Sequence, residues 1–172
     1  MSAWLRRNRW FLVALTVLIP AAVVVSLVPR WFPYQERQPR PEVVELGETV
    51  RYSGADIQLT ALELLDGAEV NAAAGADVVV ATFEIDVVEP PEVALCEVRV
   101  VSDESGFERF WDSELFADSD YDVPDRFEQT CSLSEAGSYD LQMTFLVPRG
   151  EVRNPVVELS SSAALPRVLR LS

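Results

Sequence analysis

The 172-residue chain is predicted to fold as an all-β, antiparallel sandwich preceded by one transmembrane α-helix. Three observations predict this: an unbroken apolar run near the N-terminus, alternation of apolar and polar residues afterwards, and no amphipathic pattern long enough to cover a parallel sheet. We therefore expect a short cytoplasmic N-terminus at 1–9, a transmembrane helix at 10–29, a tether at 30–42 and a sandwich domain at 43–172.

The segment 10–29 reads WFLVALTVLIPAAVVVSLVP, and its only polar side chains are those of Thr16 and Ser26. Twenty helical residues rise about 30 Å, which matches the hydrocarbon core of a bilayer. A cleaved signal peptide is the alternative. It is less favoured because the run exceeds the usual apolar region of about 7 to 15 residues and no A-x-A site follows. We predict an uncleaved single-pass anchor, so the membrane is one expected partner.

Charge and cysteine content bear on location. Three arginines precede the apolar run and three follow it before residue 41, so the positive-inside count does not decide the orientation. From Pro41 onward, 27 acidic residues against 8 arginines leave a net charge of −19, which argues against a nucleic-acid partner or an anionic lipid surface. Two cysteines far apart in sequence suit an oxidising compartment. We expect the domain to be extracytoplasmic, on the cell membrane.

The alternating runs predict seven strands, at 49–52, 56–62, 76–88, 96–101, 139–147, 155–159 and 166–171. In the third run one face is entirely apolar, and its residues are Val79, Ala81, Phe83, Ile85 and Val87. Two other segments could form short helical pieces. The first, 70–76, is cut by Gly75, and the second, 107–116, reads either as a turn of helix or as an aromatic strand and loop.

Three motifs along the domain are similar to those of a known group. They are a G-x-T-V opening at 47–50, a valine-rich central strand at 76–88 and an F-x-V-P exit at 145–148. In this order they resemble secreted bacterial immunoglobulin-like sandwiches of the telokin-like, immunoprotective extracellular antigen type. The resemblance covers about residues 44 to 171 and implies an extracytoplasmic binding or structural module. The chain departs from the group at EPPEVALC (89–96) and in its two cysteines, so the resemblance implies no shared partner.

The residue types present exclude several kinds of enzyme. The chain contains no histidine and no lysine, so Ser-His-Asp triads, Cys-His sites, Schiff bases and the usual zinc sites cannot form. No glycine-rich phosphate loop occurs. Two carboxylates facing each other across a sugar could still hydrolyse a glycoside, and Glu108 and Glu114 lie in the most apolar surroundings. We expect no enzyme and no cofactor, with a carboxylate-dependent hydrolase as the least favoured alternative.

Cys96 and Cys131 are predicted to form a disulfide that closes residues 97–130, which we call the closed segment. Loop closure of this length stabilises a fold by roughly 3 to 4 kcal/mol. The alternative is a pair of reduced, buried cysteines.

The closed segment contains six aromatic residues, which are Phe107, Phe110, Trp111, Phe116, Tyr121 and Phe127. We expect most of them to pack in the core, with Trp111 and Tyr121 the most exposed and therefore the candidate interaction surface. An aromatic patch with a negative rim suits a protein partner with a basic surface.

The same segment carries four closely spaced aspartates that approach the rhythm of a calcium loop, namely Asp118, Asp120, Asp122 and Asp125. In an EF-hand register, however, Val123 replaces the turn glycine and Gln129 replaces the bidentate glutamate. A solvated acidic loop that blunts a sheet edge is favoured, and weak calcium binding at about 0.1 to 1 mM is the alternative.

These features together predict a membrane-anchored extracytoplasmic module that binds or supports another protein, as an accessory subunit of a membrane complex. A calcium- or ligand-binding extracellular module is the second hypothesis.

Overall fold

The computed structural model describes residues 8, 10, 14–22, 39–92, 95–102, 107–113 and 119–172. The chain divides into two compact units, Met1–Gln38 and Pro39–Ser172. The described residues of the first unit are helical. No helix among the described residues is both long enough and apolar enough to cross a membrane. Much of the predicted anchor and of the tether, at 11–13 and 23–38, lies outside the described residues.

Nine strands are found in the described part of the second unit. They are β1 (Arg40–Val44), β2 (Thr49–Tyr52), β3 (Ala55–Leu65), β4 (Ala76–Val87), β5 (Cys96–Ser102), β6 (Arg109–Asp112), β7 (Gly137–Pro148), β8 (Val156–Ser161) and β9 (Arg167–Leu171). Each of the seven strands predicted from alternation has a counterpart in this set, and the bounds of β2 agree at both ends.

The strands form two sheets, one with the order β1-β9-β8-β5-β6 and the other with the order β2-β3-β4-β7. Every strand pair is antiparallel except β1 and β9, which run parallel with Val44 opposite Leu171. The wholly antiparallel sandwich expected from the sequence is corrected at this edge. Strand β1 was missed because its sequence, RPEVV, has only two adjacent apolar residues and a proline, which an edge strand tolerates. Residues 40–42, predicted as tether, therefore belong to the sheet.

The inner faces of both sheets share one hydrophobic core, which confirms the sandwich. The predicted apolar face of β4 is buried at all five of its positions. Tyr52 joins the two sheets at one end of the core. Its hydroxyl donates to the carbonyl oxygen of Arg167 at 2.8 Å and accepts the N–H of Ser161 at 2.9 Å. Burial raises the pKa of the Tyr52 phenol.

The structure decides between the alternatives left open for the two ambiguous segments. Residues 109–112 form the edge strand β6, and residues 70–75 form turns instead of a helix. β6 pairs with β5 through four residue pairs, with Asp112 opposite Arg99. Cross-strand pairing thus overrides the weak helical spacing of the aromatic residues.

Candidate interaction surface

The predicted disulfide between Cys96 and Cys131 is confirmed, with the two Cα atoms 5.5 Å apart. Cys96 is the first residue of β5, and its neighbour Leu95 forms an isolated antiparallel bridge with Ser132. Both ends of the closed segment are therefore pinned at the same place, beside the start of β5.

The last part of the closed segment lies against the second sheet. The backbone of Glu128 pairs with β7, because its N–H donates to Asp140 at 2.8 Å and its carbonyl oxygen accepts the N–H of Gln142 at 2.9 Å. Further back, the N–H of Asp120 donates to the carbonyl oxygen of Val70 at 2.7 Å. The segment thus covers part of the open edge of β7, as expected for a loop that blunts a sheet edge.

The aspartates proposed as calcium ligands are only partly described, since Asp118 lies outside the described residues. One carboxylate oxygen of Asp120 accepts a hydrogen bond from the Asn71 side chain at 2.7 Å. Asp122 and Asp125 are exposed. Over the described ranges, no three acidic or cysteine side chains are grouped so that they could hold a metal ion. Calcium binding stays a prediction, and calorimetric titration of the full-length protein would test it.

The aromatic side chains of the closed segment differ in exposure from the order expected. Trp111 is half-buried against the core, and Tyr121 is half-buried with its hydroxyl donating to Gln142 at 3.2 Å. Phe107 and Phe110 are 79% and 40% exposed. Successive side chains of a strand point to opposite faces, so β6 turns Trp111 inward and Phe110 outward. The expectation that Trp111 and Tyr121 would be the most exposed aromatic residues is therefore corrected.

The other aromatic residues of the closed segment are Phe116 and Phe127. Phe127 is half-buried, whereas Phe116 lies outside the described residues. Burial is the main cause that raises the pKa of the Tyr121 phenol, and the nearby carboxylate of Glu63 adds to it. Tyr121 is therefore an uncharged hydrogen-bond donor at neutral pH.

The outward side of the five-stranded sheet carries an ionic network that the sequence analysis missed. Glu158 on β8 is only 1% exposed. One of its carboxylate oxygens accepts hydrogen bonds from Nε and Nη2 of Arg99, at 3.0 and 2.5 Å. The other accepts a hydrogen bond from Nε of Arg170 at 3.0 Å. A buried carboxylate held by two guanidinium groups satisfies the requirement that a buried charge be paired.

The network extends to strand β6 and to Glu108, which lies just before that strand. Nη2 of Arg170 donates to Glu108 at 2.5 Å, and the guanidinium carbon of Arg99 lies 4.1 Å from the ring centroid of Phe110. Burial acts to lower the pKa of Arg170, but the hydrogen bonds that it donates to Glu158 and Glu108 raise the pKa above its ordinary value. Glu108, considered above as a potential catalytic acid, is thus an ion-pair partner, and Glu114 lies outside the described residues.

The sequence offered only a weak signal for this network. Arg99 and Glu158 occupy the polar positions of two alternating strands, where a charged side chain normally points to solvent. Their proximity depends on which strands are neighbours, because Arg99 and Glu158 are 59 residues apart and lie directly opposite each other in the β5–β8 ladder.

A second charged cluster lines a cleft of about 510 Å³ at the other end of the domain from the disulfide. Arg149 binds Asp66 at 3.0 Å and Asp77 at 3.1 Å, and the N–H of Gly67 donates to Asp77 at 3.2 Å. Burial acts to raise the pKa of Asp77, but the hydrogen bonds from Gly67, Arg149 and Gly150 lower it below its ordinary value. The charges of this cleft compensate one another, so we assign it a structural role.

No family model matches the chain, and no curated protein matches it. Among solved structures, an uncharacterised β-sandwich protein from Clostridium difficile is 12% identical, with a TM-score of 0.44 over 78% of this chain and 95% of the other. The secreted protein MPT63 from Mycobacterium tuberculosis is also 12% identical, with a TM-score of 0.45 over 76% of this chain and 97% of the other. The sandwich assignment itself rests on the two sheets and their shared core.

Proposed function

We propose that the protein is a membrane-anchored extracytoplasmic module that binds another protein, as an accessory subunit of a membrane complex. The observation that carries this proposal is the exposure of Phe110 on the edge strand β6 and of Phe107 two residues before that strand. Phe110 lies beside Arg99, whose guanidinium is held by Glu158. Exposed aromatic and arginine side chains on a rigid scaffold are typical of the residues that dominate binding energy at protein interfaces.

One sequence feature and one contact support the proposed location, and the charge of the domain supports the kind of partner. The apolar run at 10–29 has the length and composition of a membrane anchor. The disulfide between Cys96 and Cys131 supports an oxidising compartment. The net charge of −19 from Pro41 onward supports a protein partner with a basic surface, since opposite charge accelerates encounter and suppresses wrong partners.

Two measurements test the proposal. Alkaline carbonate extraction tests the anchor, because an integral protein stays in the membrane pellet and a peripheral one is released. Crosslinking of the full-length protein in its native membranes, followed by purification in mild detergent, tests the partner. We expect a stable complex with a second protein. Recovery of monomer alone under both crosslinked and uncrosslinked conditions would contradict the binding function.

A further inference from the structure

The outward side of the five-stranded sheet carries one continuous row of facing residues. Reading across β1, β9, β8, β5 and β6, the ladder places Val43, Arg170, Glu158, Arg99 and Asp112 in register. Neighbouring strands lie about 4.8 Å apart, so the row spans roughly 19 Å. We call this row, with Phe110 and Phe107 beside it, the outer face.

The centre of the outer face is rigid. Glu158 receives three hydrogen bonds from Arg99 and Arg170, and neither guanidinium can turn away without leaving one oxygen of the buried carboxylate without that hydrogen-bond donor. Arg170 is held a second time by Glu108. Because these long arginine side chains are already ordered in the unbound protein, binding of a partner costs less side-chain conformational entropy.

The network also positions the side chain of Phe110. Arg99 lies 4.1 Å from the Phe110 ring centroid, within the range of a cation–π contact. Phe110 is thus supported from one side while 40% of its surface stays exposed, and Phe107 is 79% exposed. Apolar packing alone could fasten β6 to β5, and it would avoid the cost of desolvating charges. A surface role accounts for both the charges and the exposed rings.

The charges around the outer face indicate the chemistry of a partner that would bind it. The arginines of the row are paired with Glu158 and Glu108. Among the residues that the structure describes, the exposed carboxylates of Asp112 and Glu97 lie at the rim of the row. Glu97 lies two residues before Arg99 and therefore on the same side of the sheet. A second copy of this chain, with a net charge of −19 from Pro41 onward, would be repelled from this rim.

We propose that the outer face is the docking surface for a protein segment with apolar side chains at its centre and lysine or arginine at its margins, and that Glu158 is the positioning residue of this surface. The inference rests on the proposed binding function and adds the surface, the chemistry of the partner and the role of Glu158. Phe110 and Phe107 provide the apolar contact, and Asp112 and Glu97 pair with the basic margin.

Site-directed photocrosslinking in native membranes tests this proposal. A photoreactive phenylalanine analogue is placed at position 110 of the full-length chain or, as a matched control, at Leu165, an apolar residue that is 58% exposed in the β8–β9 turn. We expect position 110 to capture one protein through a peptide that contains lysine or arginine, and position 165 to capture none. Raising sodium chloride from about 0.05 to 0.5 M should weaken capture, because screening reduces attraction between exposed charges.

Two variants distinguish loss of the binding surface from loss of the folded state. Glu158→Gln should lower capture at position 110 at a temperature where circular dichroism shows the same folded fraction as the unsubstituted protein. The double variant Phe107→Ala, Phe110→Ala removes two rings that lie outside the hydrophobic core, together with the contact between Phe110 and Arg99. It should weaken partner binding by at least about tenfold while circular dichroism shows the same folded fraction. Unchanged binding in the double variant would overturn the proposal, and unchanged capture in Glu158→Gln would overturn the role of that residue.

The identity of the captured molecule tests the partner chemistry, the location of the surface and the binding function separately. Capture of lipid or of a second copy of this chain at position 110 contradicts the proposed partner chemistry. Capture of a protein at position 165 but not at 110 refutes this surface and leaves the binding function intact. A third variant carries the analogue at Tyr121, the interaction residue expected from the sequence. Capture of no protein at positions 110, 121 and 165 contradicts the binding function itself.

Discussion

Removing the disulfide should destabilise the domain by an amount that follows from its place in the chain. The double variant Cys96→Ser, Cys131→Ser deletes a crosslink between residues 35 positions apart. The loop-closure relation for a segment of this length gives about 13 cal/mol/K, or about 3.8 kcal/mol at 25 °C. This free energy is lost mainly because the unfolded chain regains conformational freedom.

The corresponding change in melting temperature can be worked out for the unit Pro39–Ser172. At about 2.1 cal/mol/K per residue, its unfolding entropy is about 280 cal/mol/K. A loss of about 3.8 kcal/mol then lowers the melting temperature by about 13 °C. Differential scanning calorimetry of the full-length protein measures this shift, and reduction of the unsubstituted protein is the control that separates the crosslink from the serine side chains.

The disulfide should also govern local stability of the closed segment. Asp120 and Glu128 each donate a backbone hydrogen bond across to another part of the fold. In the double variant we expect their amide hydrogens to exchange faster than those of the central strand β4. Local opening of a loop with few buried contacts precedes global unfolding. Hydrogen exchange measured by NMR or mass spectrometry resolves the two regions.

Two results would refute this reasoning. A melting temperature within about 3 °C of the oxidised, unsubstituted protein would show that loop closure contributes little. Two free thiols counted by Ellman titration of the denatured, unreduced protein would show that the bond does not form at all.

Three further changes probe the core, a turn and a buried ion pair. Phe83→Ala should cost about 3 to 5 kcal/mol in urea unfolding, because its ring is fully buried between the sheets, and a loss below 1 kcal/mol would contradict that packing. Gly54→Ala should be more destabilising than Gly47→Ala. Both glycines have positive φ, but a Cβ at Gly54 would meet the carbonyl oxygen of Glu89 at 1.9 Å, whereas nothing lies within 4 Å at Gly47. Equal melting temperatures for the two variants would argue against the steric contribution. Asp77 has a lowered pKa in the folded state, so its stabilising effect is present above its unfolded value, near 3.8, and is lost as pH falls through the folded value. The stability difference between the unsubstituted protein and Asp77→Asn should therefore shrink between pH 6 and pH 3, and a constant difference would contradict the assignment.

Features of the fold that depend on local pattern or on composition were predicted correctly from the sequence. The alternation from Val79 to Val87 predicted the buried face of β4, because period-two burial is a local property of a strand between a core and solvent. Cys96 and Cys131 were paired correctly because only two cysteines exist. Strand β1 was missed because its order depends on pairing with β9, more than 120 residues away.

The sequence did not predict which aromatic side chain of β6 faces the core. Trp111 and Phe110 are adjacent in sequence, and composition alone does not say which one faces the core. A strand register shifted by one residue would exchange their positions. The pairing of Val101 with Phe110 sets that register.

The sequence by itself determined the β-sandwich class, most strand positions, the acidic charge, the disulfide pairing and the exclusion of histidine- and lysine-dependent chemistry. All of these depend on composition or on patterns within a few residues. Only the tertiary structure decided which strands are neighbours, that Glu158 is buried between Arg99 and Arg170, and that Phe107 and Phe110 are more exposed than Trp111 and Tyr121. These features arise between residues far apart in the chain, and their free energy depends on geometry that local pattern does not encode.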